Sequence, residues 1–156
     1  MGSFSPCLLL PVALSLLFAA SPLTACPPDH VAIETRSGTE IIHVEIADDP
    51  LERAAGLSGR DTLTPGSGML FLYETPHRAW FWMKGTNVAL DIIFIDSDRT
   101  ITAIKQNAHP GSYWPKSGGS NTLSVLEING GEADTLGIEV GDLVQQHRRQ
   151  SSDCGG

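Results

Sequence analysis

Residues 90–95 run Leu-Asp-Ile-Ile-Phe-Ile, an apolar stretch interrupted only by Asp91. So short a run predicts a central strand with both faces covered, rather than the half-exposed strand that strict alternation gives. Ser97-Asp98-Arg99 then turn the chain into a second strand over Ile101 to Ala108, forming a hairpin. A strand covered on both faces obliges the rest of the chain to supply neighbours and two covering layers. Val31–Thr35 and Ile41–Ala47 form another hairpin across Arg36-Ser37-Gly38-Thr39, with Ile42, Val44 and Ile46 alternating against His43 and Glu45. Met69–Tyr73 and Ala79–Met83 are further strand candidates, the first entered through the turn-rich 63–68 segment. Val125–Asn129 and Leu143-Val144 complete the set.

The helical signals are brief. Asp48 or Asp49 caps a short helix begun by Pro50, with Leu51, Ala54 and Ala55 on its inward side and Gly56 near its end. Gly130 and Gly131 permit a tight bend before one or two helical turns over Glu132–Leu136, which Gly137 ends. Pro110 to Asn121 is a long Gly- and Ser-rich loop, the kind of segment that rims sites. Strands so dominate that the expected fold is mainly β within the α+β class: a compact, partly open or closed β-barrel-like domain with short helices, not a doubly wound α/β sheet. At 156 residues, 41% of them hydrophobic, the chain holds one such domain, expected over 31–147.

The N-terminus carries an address. Leu8 to Ala20 is apolar apart from Ser15 and Pro11, too short for a comfortable bilayer span and suited to a signal h-region, so residues 1–25 are expected to be a signal peptide. Leu23-Thr24-Ala25-Cys26 resembles a bacterial lipobox, in which small residues precede a thiol that receives diacylglycerol. Met1 to Pro6 lack Lys and Arg, a departure from the usual signal. Plain secretion with cleavage near Ala20 or Ala25 and a retained membrane segment are the alternatives. Pro27 and Pro28 keep a short tether, 26–30, extended. The protein is thus expected in the cell envelope, lipid-anchored through Cys26 and facing the periplasm, or else soluble in the periplasm or secreted. Residues 148–156 are expected to be a flexible polar tail carrying Cys154; signal removal leaves only Cys26 and Cys154, and acylation occupies the first thiol, so no disulfide framework is expected. Eighteen acidic residues against ten basic ones give a formal charge of -8, which opposes nucleic-acid binding.

The segments Gly56-Leu57-Ser58-Gly59-Arg60, Gly68-Met69-Leu70-Phe71, Phe81-Trp82-Met83-Lys84-Gly85-Thr86, Leu90 to Asp96, Val125 to Gly131 and Gly137 to Asp142 occur in an order that resembles the DUF192 family, also called UPF0127, over roughly residues 31–147. The resemblance implies a barrel-like β fold with small helices, commonly behind a signal peptide, and supplies no catalytic roles. Two positions depart from its pattern: Gly85 stands where Asn is common after the Lys, and Ser58 where Met is common.

The candidate site residues each have a structural alternative. In an extended 79–84 segment, Trp80, Trp82 and Lys84 share one face while Ala79, Phe81 and Met83 take the other. An aromatic wall ending in an ammonium suits a ligand with an apolar face and an anionic group; alternatively Trp82 and Phe81 pack a small core and Lys84 reaches Asp91, Asp96 or Glu127. Arg60 either makes paired bonds to a ligand carboxylate or phosphate, or staples its loop to Asp61, Glu74 or Asp91. Asp91 and Asp96 lie five residues apart, which turns them to opposite sides of an ideal strand. Glu127 sits in an apolar strand, where burial demands a donor or a proton, and is a structural partner of Lys84 or Arg60 or else a general base. Asn107, His109, Tyr113 and Trp114 flank the long loop as a polar, aromatic rim or as plain exposed loop residues. The five histidines are scattered, so no metal is expected, and neither Gly66-Ser67-Gly68 nor Ser117-Gly118-Gly119-Ser120 has a phosphate-loop lysine, so no cofactor is expected.

The function expected from these residues is an extracytoplasmic binding or accessory domain, with catalysis left open but not favoured, whose partners are a small anionic ligand or an envelope protein, and the bilayer through Cys26. Its candidate ligand-binding residues are Arg60, Trp82, Lys84, Asp91, Asn107, Trp114 and Glu127. The alternatives are a small envelope hydrolase or transferase using Glu127 or Asp91 with Arg60 or Lys84, and a structural envelope protein.

Overall fold

The computed structural model describes residues 29–147; the signal segment, Cys26 with the first part of its tether, and the 148–156 tail lie outside the described residues. Seven strands and two short helices alternate as β1 (His30–Thr35), β2 (Gly38–Ala47), α1 (Pro50–Ala55), β3 (Ser67–His77), β4 (Leu90–Asp96), β5 (Ile101–Ala108), β6 (Thr122–Asn129), α2 (Glu132–Thr135) and β7 (Leu143–His147). They form one sheet in the order β5-β4-β6-β3-β2-β1-β7. All neighbours are antiparallel except β2 and β3, and that parallel step needs a crossover, which α1 and the loop after it provide.

The sheet curls until its edges touch at one end. Thr100 and Leu143 form a lone bridge, and Ile101 N–H donates to Asp142 O, Gly141 N–H to Ile101 O and Val144 N–H to Arg99 O, each at 2.9 Å. The result is the expected barrel-like sheet, half open. Its interior packs Val31, Ile33, Ile42, Val44, Leu70, Ile93 and Leu126. A second apolar layer, with Phe71, Phe81, Met83, Ile92, Phe94 and Val125, covers the outer face of β3, β6 and β4. Leu90 to Ile95 is therefore buried throughout, as its continuous apolarity requires.

Two expectations are corrected. Ala79–Met83 is not a strand: only Phe81 bridges, to Lys116 of the long loop. The burial alternation survives, with Ala79, Phe81 and Met83 buried and Trp80 and Trp82 exposed, because an extended cover segment has the same period as a strand. Its pairing partner carries Pro110 and Pro115, which lack N–H donors, so the contacts reduce to Phe81 with Lys116, Met83 N–H to Ser112 O and Gly111 N–H to Met83 O. In α1 the residues expected to face inward, Leu51, Ala54 and Ala55, are exposed, and no residue of the helix is buried. The helix is instead pinned by its polar ends. Asp49 Oδ1 accepts from Leu51 and Glu52 N–H, and Arg53 donates to Asp48 O and Leu72 O; Leu57, just beyond, enters the core.

Candidate functional site

The outer cover leaves a cleft of about 290 Å³. One bank is the end of α1 and the turn after it, Arg53 to Ser58; the other is the extended segment with Trp80, Trp82 and Lys84. Gly59 N–H donates to Gly85 O at 2.7 Å and joins the banks at one end. Gly85 has φ +77°, a conformation glycine adopts without strain, and a Cβ there would lie 3.8 Å from Ser58. The two positions that depart from the DUF192 pattern therefore face each other beside the cleft.

Glu127 forms part of the floor. It stands on β6 between Met69 of β3 and Ile92 of β4 and is 5% exposed. Among the described residues its carboxyl has no hydrogen-bond or ion-pair partner, and burial alone pushes it up to about 8. The acid is therefore neutral at pH 7. Tyr73, another lining residue, has its phenol raised by burial, opposed by Arg53 and reinforced by Glu127; the Arg53 guanidinium lies 5.2 Å from its ring centroid.

The mouth is aromatic and cationic. Trp80 and Trp82 are 54% and 59% exposed, so neither serves as core. The Lys84 ammonium reaches none of Asp91, Asp96 or Glu127; it stands 5.9 Å from the ring centroid of Tyr113, on the loop that hydrogen-bonds to its segment. Trp114, from the same loop, is 82% exposed, and its carbonyl accepts from Lys116 Nζ. No Asp or Glu occurs between Glu74 and Asp91, or between Asp98 and Glu127, so both cover segments are free of acids in a chain of net charge -8.

The structure brings together Glu127, Trp82 and Lys84 of the candidate residues and places Arg60, Asp91 and Asn107 elsewhere. Asp91 pairs with Ile128 while Glu127 pairs with Ile92, which sets the two acids on opposite faces of the sheet. Asp91 is fully buried, and its Oδ1 accepts from Asn107 and Gly131 N–H at 2.7 and 3.0 Å, its Oδ2 from Ala133 N–H at 2.9 Å. It caps α2 from another strand, a task Gly131 at the N-cap has no side chain to perform. Asn107 adopts φ +48° to deliver its N–H to this carboxyl. Arg60 grips neither Asp61, Glu74 nor Asp91 but makes a two-bond pair with Glu45 of β2. That hydrogen bonding holds the Glu45 carboxyl below its ordinary value and lifts the Arg60 guanidinium.

Sequence reasoning missed a histidine row. His43, His30 and His147 are in register across β2, β1 and β7, with His30 stacked on His147 at 4.8 Å and edge-on to His43 at 6.4 Å between ring centroids. Only strand pairing could have revealed it. Among the described residues no group of three or more His, Cys, Asp or Glu side chains is placed to hold a metal ion, and no helix is long and apolar enough to cross a membrane.

The DUF192 family model, described as an uncharacterized ACR, matches residues 32–146. No curated protein matches the chain. It is similar to a candidate transcription regulator from Sinorhizobium meliloti 1021, with 38% identity and a TM-score of 0.73 over 76% of this chain and 92% of that one. A protein of unknown function from Novosphingobium aromaticivorans DSM 12444 is 40% identical with a TM-score of 0.74, over 81% of this chain and 91% of that one.

Proposed function

The chain belongs to the DUF192 family, and from that premise we propose that it is a binding or accessory domain of the cell envelope, anchored by lipid at Cys26, whose cleft takes a small ligand with an anionic group and an apolar body. Lys84 holds the anion and Trp82 lies against the body. The observation that supports this most is Glu127, a buried acid without a partner among the described residues, facing a cleft whose mouth carries exposed aromatic rings and an ammonium. Burial of an unpaired carboxyl opposes folding, so its place at the floor is accounted for by what enters the cleft. The volume is at the lower bound of small-ligand sites.

A small hydrolase or transferase using Glu127 or Asp91 with Arg60 or Lys84 is not favoured, because Asp91 is occupied by three backbone N–H groups on the other side of the sheet from Glu127 and Arg60 is paired with Glu45. The transcription role attached to the S. meliloti relative is not carried over either, since a charge of -8 opposes phosphate contacts. The test is native mass spectrometry of the full chain extracted from envelopes, beside a Trp82→Ala/Lys84→Ala double variant. A small mass retained by the wild type and lost by the folded variant is the expected result; the same mass on both, or on neither, overturns the proposal. Cys26→Ser moves the protein from the membrane fraction to the soluble one if the anchor is as proposed, and leaves it in place if not.

A further inference from the structure

The polarity of the cleft defines the ligand more closely, on the reading that this cleft is the binding site. Its floor and its mouth carry opposite demands. At the floor, the Glu127 carboxyl offers two oxygens and, when neutral, one O–H, and no group among the described residues supplies a donor to it. A ligand carbonyl or ether oxygen arriving there takes the O–H and brings no donor for the other oxygen, while a hydroxyl brings a single one. An ammonium brings up to three N–H donors and satisfies both oxygens, provided the acid releases its proton. The surrounding walls carry both signs of influence: the faces of Phe71, Tyr73 and Phe81 attract a cation, while the Arg53 guanidinium, which also lines the cleft 5.2 Å from the Tyr73 ring, is held by Asp48 O and Leu72 O.

At the mouth the demand reverses. The Lys84 ammonium has only the Tyr113 ring beside it, with no acid among the described residues paired to it. Neither cover segment contributes an acid to offset that charge. An anionic group is drawn to that end and a second cation is repelled.

We infer that the cleft takes a small zwitterion, with its ammonium inward on Glu127 and its carboxylate outward on Lys84, a flat apolar spacer between them lying against Trp82. The proton balance is definite. Glu127–COOH loses its proton to solvent as the ligand ammonium enters, the ligand keeps its own three protons, and an ion pair replaces a neutral acid. Binding therefore releases one proton below the point where Glu127 ionises, about pH 8.

The experiment uses the full chain and three probes sharing one ring: 4-(aminomethyl)benzoate, benzylamine and benzoate. Affinity is read from quenching of tryptophan fluorescence and by calorimetry in two buffers of different ionisation enthalpy, which counts protons. The zwitterion is expected to bind best, to gain up to about tenfold in affinity per pH unit from 6 to 8 and then level, and to release close to one proton at pH 6.5. Glu127→Gln removes both the pH dependence and the proton release while the protein stays folded, because the neutral acid and the amide are nearly isosteric. Lys84→Met erases the advantage of the zwitterion over benzylamine and leaves the proton release intact.

Benzoate binding best, weakening above pH 8, overturns the zwitterion and leaves the anion-binding cleft standing. Benzylamine binding as well as the zwitterion overturns the role given to Lys84, and with it the inference. If none of the three probes binds at any pH, the cleft itself is not the site, and both the inference and the function it rests on fall.

Discussion

The stability of the ligand-free protein should reveal what Glu127 demands of the fold. Its carboxyl rises from the ordinary 4.5 to about 8 on folding, so between those values the folded chain holds a proton that the unfolded chain has released. Stability changes with pH as the difference between protons bound in the unfolded and folded states, and that difference is negative here. The Glu127 contribution is therefore most favourable below pH 4.5, declines as pH rises, and levels once the folded acid has ionised, above about 8. At 1.36 kcal/mol per unit the full span is about 4–5 kcal/mol as an upper bound. Other groups titrate over the same range, so the informative quantity is a difference. Urea unfolding of wild type and Glu127→Gln across pH 4 to 9.5 should show the variant gaining on the wild type by up to about 1.4 kcal/mol per unit between 5 and 8, and by nothing further beyond 9. A difference that stays constant with pH would refute the burial argument, and a variant less stable than wild type at pH 9 would mean that the protein supplies Glu127 with a partner.

Three further outcomes test the frame around the cleft. Asp91→Ala leaves the N–H groups of Asn107, Gly131 and Ala133 without an acceptor and should destabilise by about 4 kcal/mol in chemical denaturation, given about 1–3 kcal/mol for each buried group left unsatisfied and incomplete additivity. Gly118→Ala sets a Cβ 2.2 Å from Phe94 Cβ; the loop must lift from β4, and a drop of several degrees in melting temperature together with faster proteolysis within 110–121 is expected. Thr122→Val removes a buried hydroxyl that has no partner among the described residues and should be neutral or stabilising by up to about 1 kcal/mol in the same unfolding assay.

The parts of the fold that were legible in the sequence are those decided locally. The β4–β5 hairpin follows from an apolar run, a three-residue turn and a second β-rich run, and Pro50 marks the start of α1, behind a cap that the sequence leaves open between Asp48 and Asp49 and the structure assigns to Asp49. What could not be read depends on which elements meet. Ala79–Met83 has the period of a strand because it is extended and half buried, yet period alone does not distinguish a sheet member from a cover strap. Asp91 stands out as a polar residue in an apolar strand, but its role lies in N–H groups 16 to 42 residues away along the chain. Arg60 found its acid, Glu45, 15 residues upstream rather than beside it, because the crossover brings the loop back over β2. For Glu127 the sequence showed that burial would demand a donor or a proton; only the face it occupies shows that no donor is there.

Asp91 and Glu127 sit one register step apart on neighbouring strands, both buried, and differ only in the side of the sheet they face. On the inner side the chain bends around the acid: Asn107 takes a left-handed conformation, Gly131 opens the turn, and α2 starts where its free N–H groups meet the carboxyl. That is how a fold treats an acid it needs for itself, by building donors until none of its oxygens is idle. On the outer side no donor among the described residues is bonded to Glu127, although Arg53 and Lys84 line the same cleft. Arg53 is committed to Asp48 O and Leu72 O, and Lys84 turns to Tyr113. A carboxyl left unserved beside two cations directed elsewhere is poor design for stability alone. It is consistent with a site that keeps its strongest interaction for a molecule that is not part of the chain.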